Sequence, residues 1–142
     1  MSVRVEVDNR SGWRVDEAAA ADVMREALAG EGVTDGEVGV AFVPEGEMAA
    51  LNLEHRAVDK PTDVLSFPLD LDDDLPAGIP RQLGDVVVCP QVAGRAGTPV
   101  ATLLVHGALH LVGYDHETDD GRMLTRQDEL VAGVGSVGAA PA

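Results

Sequence analysis

Cysteine is nearly missing from this 142-residue chain, and the single thiol, Cys89, has no second cysteine with which to close an internal disulfide. One cysteine cannot supply a zinc ribbon either. Cys89 closes an apolar stretch and reads as a small buried hydrophobe at a strand end. Long apolar runs are also absent, since no stretch approaches the roughly 18 residues of a membrane-crossing helix. The opening segment MSVRVEVDNR alternates charged and apolar residues and lacks the apolar block of a secretory signal. A cytoplasmic protein with no membrane association is expected. Positive charge is scarce: 10 Lys and Arg stand against 25 Asp and Glu, for a net charge of −15. Such a surface repels nucleic acid at long range, so a general RNA-binding module is disfavoured and any RNA contact needs a local positive patch. Acid excess also keeps a protein soluble, which is its plainer reading.

What is present suffices for one folded domain, because 142 residues with 45% apolar side chains can bury a core without staples. No internal repeat is visible. Residues 1–133 are read as that domain, and 134–142, VGSVGAAPA, as a flexible tail. Alternation of Val3, Val5 and Val7 predicts a strand over 3–9. Asp16 can cap a helix over 17–29, whose apolar positions include Ala20, Val23, Met24, Ala27 and Leu28, with Gly30 and Gly32 ending it. A strand over 37–43 is followed by Pro44 and a helix over 45–54 that places Met48, Leu51 and Asn52 inward. TDVLSFPLD forms a third strand, which Pro68 marks as an edge or a strand end. An acidic, proline-bearing loop covers 70–82, and GDVVVCP (84–90) is a short buried strand. Helices are expected at 91–96, at 98–112, where the sequence is apolar on most sides, and at 118–132 with Thr118 as cap. The class is therefore α+β: a small mixed sheet of about four strands, packed with about five helices around a central one.

Three of the four histidines fall within eleven residues, in HGALHLVGYDH (106–116). On a helix His106 and His110 project from one face, about 5–6 Å apart. Gly113 offers a place for the helix to stop, so that His116 can return toward the same point. Three neutral imidazoles suit one zinc ion per chain and leave one coordination position for water, whose pKa the ion can lower to about 7. The spacing matches that of metzincin peptidases, but those enzymes carry a Glu general base after the first His, where this chain has Gly107.

A second segment, LNLEHRAVDKPTDVLSFP (51–68), places Arg56 and Lys60 at a helix-to-strand connection. Arg56 could form a salt bridge with Glu54 or Asp59. Alternatively, its planar guanidinium can make two parallel hydrogen bonds to phosphate oxygens at any working pH.

With LGD (83–85) lying between these blocks, the chain resembles the YbeY family of bacterial endoribonucleases over roughly residues 50–130. The resemblance implies zinc on His106, His110 and His116, an Arg56 needed for activity, and Asp85 in the family's Gly-Asp pair. It further implies a metal-dependent RNase that prefers single strands and acts in 16S rRNA maturation and ribosome quality control. Implied partners are the small ribosomal subunit, one of its proteins and an Era-type GTPase. His55 stands where the family usually has an aromatic ring and is read as a packing substitute.

Zinc-activated water with Arg56 on the phosphate would meet two demands of phosphodiester hydrolysis: a nucleophile, and neutralisation of charge on the phosphoryl oxygens. Ligand histidines also need their outer nitrogens held, for which Asp85 and Asp115 are candidates. Lys60 is a weaker candidate for substrate contact. No general base is singled out, and attack by water or by the RNA's own 2′-hydroxyl both stay open. Two rival readings remain. One is a zinc peptidase; the other is a non-catalytic assembly factor whose metal is closed by Cys89 or His55.

Overall fold

The computed structural model describes residues 2–69, 81–114 and 121–142. Along the chain these form β1 (Val3–Asn9), β2 (Trp13–Val15), α1 (Glu17–Gly30), β3 (Gly36–Phe42), α2 (Glu45–Arg56), β4 (Val64–Pro68), β5 (Gln82–Val88), α3 (Pro90–Ala96), α4 (Val100–Leu111), α5 (Arg122–Gly133) and β6 (Ala139–Pro141). Four strands make one sheet in the order β1-β3-β5-β4, with β1, β3 and β5 parallel and β4 antiparallel to β5. The α+β class with a mixed four-stranded sheet thus holds, as does Pro68 at the end of an edge strand.

Alternation decides what each face of the sheet meets. Val38, Val40 and Phe42 of β3, with Val86 and Val88 of β5, join Met24, Ala27 and Leu28 of α1 and most of α4 in the main core. The residues between them point the other way, where Leu65, Val87 and Cys89 pack with Val43 and Met48. Asp16 caps α1 as expected, its side chain accepting the Ala19 N–H at 3.0 Å.

Helix α4 runs through the middle. Nine of its twelve residues are buried, and the other three are Thr102, His106 and His110. These recur every four residues, so a core helix carries a single polar seam along one side. At its end the Tyr114 N–H donates to the Leu109 carbonyl at 3.1 Å and the Gly113 N–H to His110 at 3.1 Å. This is a Schellman turn, with Gly113 at φ 103° in the left-handed position. The stop expected at Gly113 is therefore made by that residue.

Several boundaries differ from the sequence reading, among them β5 at Gln82–Val88 and α4 at Val100–Leu111. Helix α2 continues to Arg56 because Ala57 takes the left-handed cap, φ 59°, without a glycine to announce it. Helix α5 starts after Gly121, while Thr118 and the loop 70–80 lie outside the described residues. Residues 134–142 are not a flexible tail. β6 pairs antiparallel with β2, the Asp16 N–H donates to the Gly138 carbonyl at 2.9 Å, and Val137 is only 9% exposed. Glycine and alanine gave this segment the composition of a linker, but Val137 and Ala139 have an apolar place to go, beside Trp13, Ala93 and Val100.

Candidate metal centre

The polar seam of α4 opens into a cleft of about 450 Å³. It is lined by His106, His110, Gly113 and Tyr114 from α4 and its turn, by His55 and Arg56 from the end of α2, and by Val64, Leu65, Ser66 and Pro68 of β4. Four-residue spacing stacks the two imidazoles edge to face, with centroids 4.7 Å apart and planes at 76°. Their Nε2 atoms face one another at 3.2 Å.

The outer nitrogens account for this arrangement. His110 Nδ1 lies 3.0 Å from the Tyr114 carbonyl, which can only accept, so this nitrogen carries the hydrogen and Nε2 presents its lone pair. His106 Nδ1 lies 2.7 Å from Gln127 Oε1 on α5. With Gln127 Oε1 as acceptor, His106 Nε2 likewise presents its lone pair, and two lone pairs aimed at one point suit a shared cation. With Zn–N distances of about 2.0–2.1 Å, two nitrogens on a tetrahedral ion stand about 3.3 Å apart, so the donor pair fits zinc. His116 and Asp115 lie outside the described residues.

Arg56 closes α2, whose last turn hands it to the cleft. Buried Asn52 donates its side-chain amide to the Lys60 carbonyl at 2.8 Å, which ties down the loop that follows. Among the described residues no carboxylate pairs with Arg56, so the bridge to Glu54 or Asp59 is not made. None of the described lining residues is acidic, in a chain whose net charge is −15. Arg56 is the one formally charged side chain among those described lining residues. Lys60 is exposed and lies apart from the lining, so the structure brings only its backbone into the arrangement.

Asp85 requires a correction. It leaves β5 on the face away from α4, over Gly39 of β3, in a groove shared with Arg10, Glu47 and Phe67. Gly84 and Val86, on either side of it, face Leu111 and Gly107 of α4, so Asp85 falls on the wrong side to reach either histidine. Gln127 and the Tyr114 carbonyl take the role foreseen for a carboxylate. Gln127 carried one readable signal: it shares the inner face of α5 with buried Met123 and Leu130, where an apolar residue is expected. The Tyr114 carbonyl carried none, because a backbone group leaves no mark on the sequence.

The residues proposed to close the metal's fourth position separate as well. Cys89 is fully buried in the cluster on the other side of the sheet, where burial pushes its thiol above the usual range. His55 does line the cleft, and its ring packs on Phe67 with centroids 4.5 Å apart, which agrees with a packing role.

Behind the site, Tyr114 places its hydroxyl 3.4 Å from both oxygens of Glu31. Partial burial, and then the Glu31 charge, push that hydroxyl above the ordinary phenol range. Arg126 donates to the same carboxylate at 2.8 Å.

A protein-family model described as "Endoribonuclease YbeY" matches residues 6–135. The endoribonuclease YbeY of Streptomyces griseus is 38% identical across 97% of this chain and 96% of its own length. That of Halorhodospira halophila is 46% identical over 70% of this chain and 71% of its own. The solution structure of TM1509 from Thermotoga maritima superposes with a TM-score of 0.54 at 29% identity, covering 89% of this chain and 86% of that one. No described helix is long and apolar enough to cross a membrane. Matched over nearly its whole length, the chain belongs to the YbeY family of endoribonucleases.

Proposed function

We propose that this chain is a zinc-dependent endoribonuclease that cuts single-stranded RNA in 16S rRNA maturation and ribosome quality control. The observation that carries the proposal is the convergence of His106 and His110 Nε2 at 3.2 Å in a cleft that also holds Arg56 and has no acidic side chain among its described lining. His106 and His110 would hold the metal, with His116 as the third ligand. When bound, zinc supplies Lewis-acid stabilisation of the phosphoryl charge and lowers the pKa of water to about 7.

The remaining work falls to the chain's own groups. Arg56 binds two phosphate oxygens through its planar fork and holds the scissile group against the histidine pair. Because it stays charged throughout the working range, it offsets the negative charge that grows on those oxygens in the transition state. The Tyr114 carbonyl and Gln127 keep hydrogens on the outer nitrogens, so both inner lone pairs stay available. The small ribosomal subunit, one of its proteins and an Era-type GTPase are the partners this reading implies, in the cytoplasm.

Two observations disfavour the rivals. Cys89 lies across the sheet and cannot close the metal position from there, and the other candidate, His55, packs its ring on Phe67, which together speak against a purely structural tie. Gly107 faces the sheet rather than the cleft, which speaks against a peptidase base there. The test is cleavage of a defined single-stranded RNA, with unstructured protein as a parallel substrate, before and after chelation and zinc return. Wild type should cut RNA only, reversibly with zinc; Arg56→Ala should retain zinc and lose cleavage; His110→Ala should lose both. Chelator-resistant cleavage, or an Arg56→Ala protein that cannot take up zinc, would overturn the assignment.

A further inference from the structure

We infer that Gln127 is the positioning residue that sets the tautomer of His106, and that the junction of α1 with α5 holds it there. The inference rests on the metal reading above and assigns its second outer contact.

The two histidines are controlled differently. His110 has a backbone carbonyl at its Nδ1, placed by the Schellman turn of its own helix, and a carbonyl leaves no choice of tautomer. His106 depends on a side chain from another helix, 21 positions away, at 2.7 Å. An amide can present oxygen or nitrogen. Only the oxygen keeps a hydrogen on Nδ1 and turns the Nε2 lone pair toward His110; the nitrogen would impose the opposite tautomer and place N–H where a metal bond is needed. Free histidine favours the Nε2–H form, so this contact works against an intrinsic bias.

Gln127 can do this only if α5 is fixed in rotation, and its neighbour in sequence supplies the anchor. Arg126 donates through Nε to Glu31 at 2.8 Å and through Nη2 to the Gly30 carbonyl at 2.7 Å, gripping the C-terminal end of α1. The ion pair is partly buried, its side chains 29% and 15% exposed. Gly30 permits the approach, because a Cβ there would lie 2.6 Å from Leu130 Cδ2. Glu31 also receives the Tyr114 hydroxyl, so one carboxylate braces the segments that hold both imidazoles.

The test compares wild type, Gln127→Leu and Gln127→Glu in the full chain. Long-range ¹H–¹⁵N spectra of the metal-free proteins at about pH 8, where histidine is neutral, report the His106 tautomer directly. Competition with a chromophoric chelator gives zinc affinity, and thermal unfolding shows that each variant is folded. Wild type should show Nδ1–H at His106. Gln127→Leu should move it toward Nε2–H and weaken zinc binding about 10–100-fold. Gln127→Glu, which keeps an acceptor at the same reach, should restore both. A wild-type His106 in the Nε2–H form would overturn the inference, as would a folded Gln127→Leu protein with unchanged tautomer and affinity. Wild type that takes up no zinc would sink the metal reading instead, and the tautomer spectra would still decide the role of Gln127.

Discussion

Gly107 of α4 and Val86 of β5 are packed so closely that a Cβ on residue 107 would lie 2.6 Å from Val86 Cγ1. The missing side chain lets the histidine-bearing helix lie directly on the sheet. It also explains why the residue after the first histidine cannot serve as a base here, since a carboxylate at that position would enter the core. Alanine at an interior helical site is worth about 1 kcal/mol over glycine, whereas overpacking costs about 1–3 kcal/mol. Gly107→Ala should therefore destabilise the wild-type background. In a Val86→Ala background both Cγ contacts are gone and only the Cβ of residue 86 stays close, at 3.2 Å, so the same change should cost less than in wild type. A urea-unfolding double-mutant cycle measures this; purely additive energies would show that the two residues do not oppose each other.

Two other glycines separate a rigid obstacle from a yielding one. A Cβ on Gly84 would lie 2.4 Å from the Phe67 carbonyl oxygen, a backbone atom in the paired strand, and its φ of 130° disfavours any side chain. A Cβ on Gly39 would lie 2.2 Å from Asp85 Oδ1, the end of an exposed side chain that can swing aside. Gly84→Ala should cost on the order of 3 kcal/mol or more. Gly39→Ala should cost less than about 1 kcal/mol. Equal losses in chemical denaturation would contradict the distinction.

The sequence shows most plainly what is local and periodic. His106 and His110 are legible because helical spacing alone sets their shared face, and the turn at Gly113 because few other residues accept its backbone angles. The face that Asp85 takes is not legible, because which side of β5 meets α4 is decided by packing with segments far away in the chain. Gln127 and Arg126 act across helices whose packing no single segment specifies. β6 was missed for a related reason: its stability comes from Trp13 and the partner strand β2, not from its own composition.

Cys89 gives a prediction about pH. Burial raises its pKa, more than the N–H groups of Val92 and Gln91 lower it. A raised folded-state pKa means that the neutral thiol is preferred in the native protein. The associated stability is complete below the ordinary value of 9.0 and is lost as pH rises past it toward the folded value. The stability advantage of wild type over Cys89→Ala should therefore shrink above pH 9.0. Denaturant titrations at successive pH values measure it, and a constant difference would remove the thiol from the account. At neutral pH an aromatic disulfide reagent should modify Cys89 only as fast as the protein opens.

The last residues of the chain make the sharpest contrast between composition and structure. Val137 is 9% exposed, and β6 covers an apolar pocket of about 150 Å³ that includes Trp13, the one tryptophan of the chain. Burying a valine side chain is worth about 1.5–3 kcal/mol, and the paired strand adds backbone hydrogen bonds to that. Deleting residues 137–142 should therefore lower stability by about 2–3 kcal/mol and shift Trp13 emission to longer wavelength as water reaches the indole. Val137→Ala should give a smaller loss in the same direction. Zinc affinity should hold in both variants, because this pocket shares no lining residue with the histidine cleft. A truncated protein with unaltered melting and emission would mean that β6 is not held on β2 in solution. Coupled loss of zinc binding would mean that the two ends of α4 are less independent than their packing indicates.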